Sequence, residues 1–377
     1  MLEPVDVATL PVVGVLHQQR SATGLTYERL PAWTRAQIVD PAQQLVVSMP
    51  AGGRLAFRTD SRVLELDVML TAVRIGDNPV LRPTFDLVVD GEVATSVVAD
   101  DHITLHVLGP EEIAYLPGEP ATLRFELPGS ADREVEIWFP HSAVLEMRAV
   151  RIDAGTALEP APRQRRRWVH HGSSISHCLE ADRPTGTWPA IAARAADVEL
   201  LNLGLAGQCM LDQHVARTLR DLDADLISVK AGINVVNGDT LRERTFRPAL
   251  HGFLDTVRDG HPQTPLLVVT PIICPDAEEH PGPTVLGEDG RFHVVPRPQE
   301  LAVGALSLRR IREIVTEVVT ARQAVGDEHL HLLDGLSLFG AEDVGLLPDG
   351  LHPDAAGYRL MGERFHLLAF GPSGPFS

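Results

Sequence analysis

Between Gln43 and Pro140 apolar and polar residues alternate in short runs broken by turn formers. QQLVVSMP (43–50), GRLAFRTD (53–60), RVLELDVMLTAV (62–73), TFDLVVD (84–90), EVATSVVA (92–99), HITLHVL (102–108), ATLRFELP (121–128) and EVEIWFP (134–140) read as strands rich in Val, Leu, Ile and Thr. Asp90-Gly91, Gly109-Pro110 and Pro128-Gly129 punctuate them. About eight strands without a convincing helix predict an all-β sandwich of jelly-roll type over residues 1–155. Residues 156–167, which hold Pro, Ala and the run Arg163-Gln164-Arg165-Arg166-Arg167, show no period and read as a linker.

From Trp168 onward the period changes. WVHHG, VELLNLG, ADLISVKAG, PLLVVTP and HLHLLDG are near-continuous apolar strands. They alternate with helices expected at TWPAIAARAAD, LDQHVARTLRDL, FRPALHGFLDTVRDG, 301–324 and AAGYRLMGERFHLLAF. This rhythm predicts a buried parallel sheet between two helix layers over 168–377, with ligands at the carboxyl ends of the strands. Residues 275–299 follow one such strand end and read as an irregular loop, either a lid or substrate wall or an inert excursion.

Composition changes this picture little. The 377 residues, 44% hydrophobic and 22% charged, suit two globular domains. A net charge of −18 argues against nucleic acid or an anionic membrane as partner. No stretch reaches the ~20 apolar residues of a membrane span, and the acidic start MLEPVD does not read as an export signal. Three scattered cysteines, Cys178, Cys209 and Cys274, fit a reducing compartment, so the expected location is the cytoplasm. An oligomer is left open.

Candidate chemistry lies at four strand ends. Ser174, in Gly172-Ser173-Ser174-Ile175, would expose a hydroxyl and a backbone amide together, although a capped turn alone would have the same sequence. Gly204 in NLGLAG allows close backbone approach, and Asn234 in AGIN either donates to an oxyanion or caps a helix. Asp349 and His352, in Asp349-Gly350-Leu351-His352-Pro353, share one side of a tight turn, where a carboxylate orients an imidazole. The adjacent His170 and His171 face opposite ways on a strand, and neither His-Glu-x-x-His nor Cys-x-x-Cys occurs, so no metal is expected. The phosphate-binding glycine patterns are missing too, so no bound nucleotide cofactor is expected. Cys209 reads as a buried structural thiol, Trp188 as core, and Asp212 as a helix-start charge.

Ser, Gly, Asn and Asp-x-x-His in this order, each at a strand end or before the last helix, resemble the SGNH (GDSL-like) hydrolase superfamily over about 168–370. The resemblance implies Ser174 as nucleophile, His352 as general base and acid, and Asp349 as the orienting carboxylate. It implies an oxyanion hole from the amides of Ser174 and Gly204 and the side chain of Asn234. Two departures stand out: Gly172-Ser173-Ser174 lacks the usual aspartate before the nucleophile, and Val235 replaces the aspartate after the asparagine. The whole chain further resembles the GDSL-type acyltransferases of polyketide tailoring that place a salicyl group on a tetracycline. That implies acyl-CoA as co-substrate, with a small-molecule acyl donor and a hydroxyl acceptor as partners. Carboxylester hydrolysis or carbohydrate deacetylation is the alternative within the family. A ligand-binding protein with an inactive hydrolase domain is the alternative outside it.

Overall fold

Strand Ala121–Glu126 shows how the first part folds: Ala121, Leu123 and Phe125 are buried while Thr122, Arg124 and Glu126 face water. The same alternation runs through Val63–Ile75, which pairs with Ala121–Glu126, Ala143–Asp153 and Ile103–Val107. The computed structural model describes residues 1–108, 112–129, 132–161 and 165–377. The chain divides into two compact units, Met1–Gln164 with Asp182–Thr185, and Arg165–Ala181 with Gly186–Ser377.

In the first unit an eight-stranded sheet and a six-stranded sheet share one hydrophobic core. Leu64, Leu66, Val68 and Leu145 enter it from one sheet, and Phe57, Phe85 and Ile137 from the other. This is the expected β-sandwich. One expected strand is a helix: Gln43–Pro50 falls largely within the helix Pro41–Val47. Asp40 accepts from Ala42 N at 2.8 Å and Pro41 occupies the first turn. That start signal outweighs the strand preference of Leu45-Val46-Val47. Strands such as Leu2–Val5 and His17–Arg20 escaped the pattern because they are short and mostly unburied. Ala143–Asp153 escaped it too, and its alternation shifts at a bulge between Met147 and Ala149. The turn expected at Gly109-Pro110 and the Arg163-Gln164 end of the basic run lie outside the described residues.

The second unit contains β1 (Arg167–Gly172), β2 (Glu199–Gly204), β3 (Leu226–Lys230), β4 (Leu266–Val269), β5 (Thr284–Leu286), β6 (Phe292–Val294) and β7 (Leu330–Leu333). Its helices are α1 (Ser174–His177), α2 (Trp188–Ala195), α3 (Gln213–Asp221), α4 (Ile233–Gly238), α5 (Glu243–Gly260), α6 (Leu308–Ala324) and α7 (Ala355–Phe365). The main sheet is parallel throughout, in the order β2-β1-β3-β4-β7. Trp168 of β1 packs on Trp188 of α2 and Phe365 of α7. His171 stacks on Phe253 of α5. Residues 168 and 171 point to opposite faces of a strand, so the sheet lies between two helix layers.

Two boundaries differ from expectation. The helix expected from residue 301 begins at Leu308, where Ser307 accepts from Arg310 N and caps it. The segment 275–299 is less irregular than its composition implied, because β5 and β6 form a hairpin. Of the basic run, Arg165 pairs with Asp197 and Arg167 with Glu199, and Arg166 donates to Phe376 O. Among the described residues no helix is long and apolar enough to cross a membrane.

Candidate active site

Because every strand of the main sheet runs the same way, Gly172, Gly204 and Lys230 end in register on one edge. The chain turns there from β1 into α1, with Ser174 as its first helical residue. A first helical residue has no intrahelical acceptor for its N–H, and Ser174 N donates to no protein group among the described residues. Two glycines let α1 settle against the sheet. A Cβ on Gly172 would come within 2.2 Å of Ser176 Oγ. One on Gly204 would come within 2.5 Å of His177 N and of the Ser176 carbonyl carbon, which are backbone atoms that cannot swing aside. Gly204→Ala is therefore expected to cost about 1–3 kcal/mol of stability by overpacking. It should also lower activity about 100-fold through displacement of Ser174. Denaturant unfolding and a rate assay check this, and a wild-type-like variant would show that α1 does not rest on this contact.

Buried polar groups hold the same helix from below. His170 bridges Ser228 Oγ of β3 and Ser176 Oγ of α1, both at 2.7 Å. Burial, then the charges of His171 and Lys230, push its pKa well below the ordinary value, so it stands neutral between the two hydroxyls. Asn202 Nδ2 donates to Ser176 O at 3.0 Å, and Trp188 Nε1 donates to Ile175 O at 2.7 Å. Sequence reasoning assigned no role to Ser228, Ser176 or Asn202. Ser173, standing where the family has aspartate, caps α1 without a side-chain hydrogen bond, and its buried Oγ has no partner among the described residues.

The turn before α7 brings the other groups to Ser174. Asp349 Oδ1 accepts from Leu351 N at 2.8 Å and from His352 N at 2.7 Å. Its Oδ2 lies 2.6 Å from His352 Nδ1. His352 Nε2 lies 2.9 Å from Ser174 Oγ. Ser174 and His352 are each only 8% exposed, so the hydrogen bond between them is shielded from water. Burial pushes the Asp349 carboxyl up, but its bonds and charge interaction with His352, together with the Leu351 N–H, hold it below the usual range. Burial opposes charge on His352, yet Glu180 and then Asp349 outweigh it and raise the imidazole above its ordinary value. Such an arrangement can move a proton from the serine hydroxyl to Nε2 while the carboxylate side stabilises the resulting cation.

Asn234 does not cap α4; that position belongs to Gly232. Its Oδ1 accepts from Cys209 N at 3.0 Å, which fixes the carboxamide and leaves Nδ2 as the end without a partner among the described residues. Gly204 departs from expectation. Its N–H donates to Asn202 Oδ1 at 2.8 Å, so the amide is occupied within the fold and the glycine is needed for packing. The following loop is anchored at Leu205 N to Gly172 O and at Cys209 N to Asn234. Between these anchors Gly207 is exposed, has φ of 72°, and donates its N–H to no protein group among the described residues. The second glycine of NLGLAG carried this signal, but strand-end spacing alone pointed to the first.

The β5–β6 hairpin adjoins the Asp349–His352 turn. Phe292 N donates to Asp349 O at 2.8 Å, and its ring meets the His352 ring edge-on with centroids 5.5 Å apart. A cavity of about 550 Å³ opens beside this hairpin, lined by Asp276, His280, His293, Val295 and Arg297 among others. Cys209 is buried 3.4 Å from His171 Nε2, and burial pushes its thiol up to about 12. Asp212 starts α3, and Trp188 is core. Among the described residues no cluster of His, Cys, Asp or Glu could hold a metal ion.

A parallel three-layer domain joined to a β-sandwich, with a serine, an imidazole and a carboxylate in hydrogen-bond sequence at the sheet edge, defines the SGNH type of serine acyl-transfer fold. The GDSL-like Lipase/Acylhydrolase family model matches residues 165–278, and the chain is an enzyme of the SGNH/GDSL superfamily, of acyltransferase or esterase type. Among solved structures it is similar to the salicylyl-acyltransferase SsfX3 from a tetracycline biosynthetic pathway, at 26% identity and TM-score 0.79, covering 97% of this chain and 95% of that one. A GDSL-like lipase from Bacteroides ovatus shares the fold at 19% identity and TM-score 0.67, covering 97% and 96% of the two chains. A family two carbohydrate esterase from Clostridium thermocellum, solved with cellohexaose, does so at 13% and 0.59, covering 94% and 97%. A search of curated proteins gave no match.

Proposed function

We propose that this chain is an O-acyltransferase that carries an acyl group on Ser174 from a thioester donor, such as an acyl-CoA, to a hydroxyl of a small natural product. The observation that carries the acyl-enzyme is the unbroken sequence Ser174 Oγ, His352 Nε2 and Nδ1, and Asp349 Oδ2, at 2.9 and 2.6 Å. His352 takes the Ser174 proton as Oγ attacks the carbonyl, then returns it to the leaving thiolate. In the second half-reaction it deprotonates the acceptor hydroxyl as that oxygen attacks the acyl-enzyme carbonyl, and it gives the proton to Ser174 Oγ as the carbonyl–Oγ bond breaks. The negative oxygen of each tetrahedral intermediate is received by the N–H of Ser174, Nδ2 of Asn234 and the N–H of Gly207, the last in the place first expected of Gly204. The acceptor chemistry leans on the whole-chain similarity to SsfX3.

Ester hydrolysis, including removal of acetyl groups from carbohydrate, is the second reading, favoured by the fold shared with the cellohexaose-bound esterase. The triad serves either acceptor; exclusion of water and orientation of an alcohol decide between them. The test is product analysis with aryl- and acetyl-thioesters in the presence and absence of polyhydroxylated aromatic acceptors. A Ser174-dependent ester product is expected. Free acid at the same rate with and without acceptor would replace transfer by hydrolysis.

A further inference from the structure

The groups assembled around His352 include one carboxylate more than a serine–histidine–aspartate chain requires. Cys178 ends α1 in the left-handed region at φ 62°, and Ala181 N donates to Cys178 O at 3.0 Å, closing a tight turn with Leu179 and Glu180 at its centre. Glu180 is thus fixed to the same short segment that carries Ser174. Its Oε1 lies 3.6 Å from His352 Nδ1. Its Oε2 accepts from Tyr358 Oη at 2.7 Å. Tyr358 is fully buried on α7, and burial followed by the charge of Glu180 pushes its pKa well above the ordinary value, so the phenol remains a donor.

We propose that Glu180 is a positioning residue, a second carboxylate on the Nδ1 side of His352 that shares with Asp349 the stabilisation of the imidazolium formed when Ser174 is deprotonated. This inference rests on the acyl-enzyme reading above. Asp349 holds the Nδ1 proton directly and is fixed by two backbone N–H groups. Glu180 stands just beyond hydrogen-bond range, held by the tyrosine, and contributes charge. The proton taken from Ser174 sits on Nε2 until it passes to the leaving group and the Nδ1 proton stays on the ring, so neither carboxylate takes up a proton in the step. The titratable groups facing Glu180 are His352, Asp349, Tyr358 and the buried Cys178 thiol, which burial keeps neutral. The raised imidazole pKa agrees with this geometry, since the charge of Glu180 acts on it beside the hydrogen bond and charge of Asp349.

The test begins with Glu180→Gln, which can keep the Tyr358 hydrogen bond and is expected to fold. The His352 titration midpoint is read by ¹⁵N NMR without substrate, its signal assigned by loss in His352→Gln. Glu180→Gln should lower that midpoint by about one pH unit and move the acid limb of kcat/KM the same way. KM should stay nearly constant. With one carboxylate, Asp→Asn typically costs about 10⁴-fold; here Asp349→Asn should cost roughly ten-fold less, and adding Glu180→Gln should remove that residue of activity. An unmoved midpoint, or a double variant no slower than Asp349→Asn, would overturn the proposal. Because the midpoint needs no turnover, its result stands apart from whether Ser174 is the nucleophile, which Ser174→Ala decides.

Discussion

Ser174→Ala is expected to reduce turnover by at least about 10⁴-fold while leaving the unfolding transition where it is. The magnitude follows from the geometry. His352 Nε2 makes its hydrogen bond to this hydroxyl, and a base without its nucleophile has nothing to activate. In serine hydrolases loss of the nucleophile alone costs roughly as much as loss of the whole triad, of order 10⁶-fold. What survives comes from the oxyanion donors and substrate binding, acting on attack by water. The fold should be indifferent, because α1 is held by Ser176, Ile175 and the His177 region and not by Ser174 Oγ. A folded variant retaining a tenth of the activity would remove Ser174 from the chemistry.

Asn234→Ala should lower kcat by about 100- to 1000-fold, or about 3–4 kcal/mol in the barrier, with a much smaller effect on KM. Oδ1 is held by Cys209 N, so Nδ2 is pre-oriented and need not reorganise as the oxyanion forms. Such a donor acts mainly where charge develops, so the loss falls on kcat more than on binding. Asn234→Asp separates geometry from charge: it keeps the acceptor for Cys209 N but presents a carboxylate to the oxyanion, and should be at least as slow as alanine. A rise in KM with kcat intact would instead make Asn234 a substrate-binding group.

Much of this architecture was legible because two periods are strong signals. Ala121–Glu126 alternates cleanly, and near-continuous apolar runs such as Leu226–Lys230 mark a sheet buried on both faces. The pattern failed where local chemistry overrode composition, as when Asp40-Pro41 turned a valine-bearing run into a helix. At the site, Ser174, Asp349 and His352 were candidates at a strand end and an Asp-x-x-His turn that the family resemblance singled out, and they stand in hydrogen-bond sequence. Gly204 and Gly207 were not separable by that logic, since what distinguishes them is which amide another side chain takes, and Asn202 takes the first. Glu180 carried no signal, because its approach to His352 depends on a left-handed cysteine and on a tyrosine 178 residues away.

The hairpin of β5 and β6 illustrates the same limit. Its sequence, rich in Gly, Pro and Glu, reads as a loop, yet Phe292 forms part of the surroundings of His352. Turn-forming composition reports backbone freedom and says nothing of what the segment packs against once the sheet edge is in place.

Acylation of Ser174 is read by intact-protein mass spectrometry after brief mixing with acyl thioesters, without acceptor. An added acyl mass is expected that maps to the Ser174 peptide, is absent in Ser174→Ala, and disappears when a competent hydroxyl acceptor is supplied. An adduct on another residue, or thioester consumption unchanged in Ser174→Ala, would contradict it.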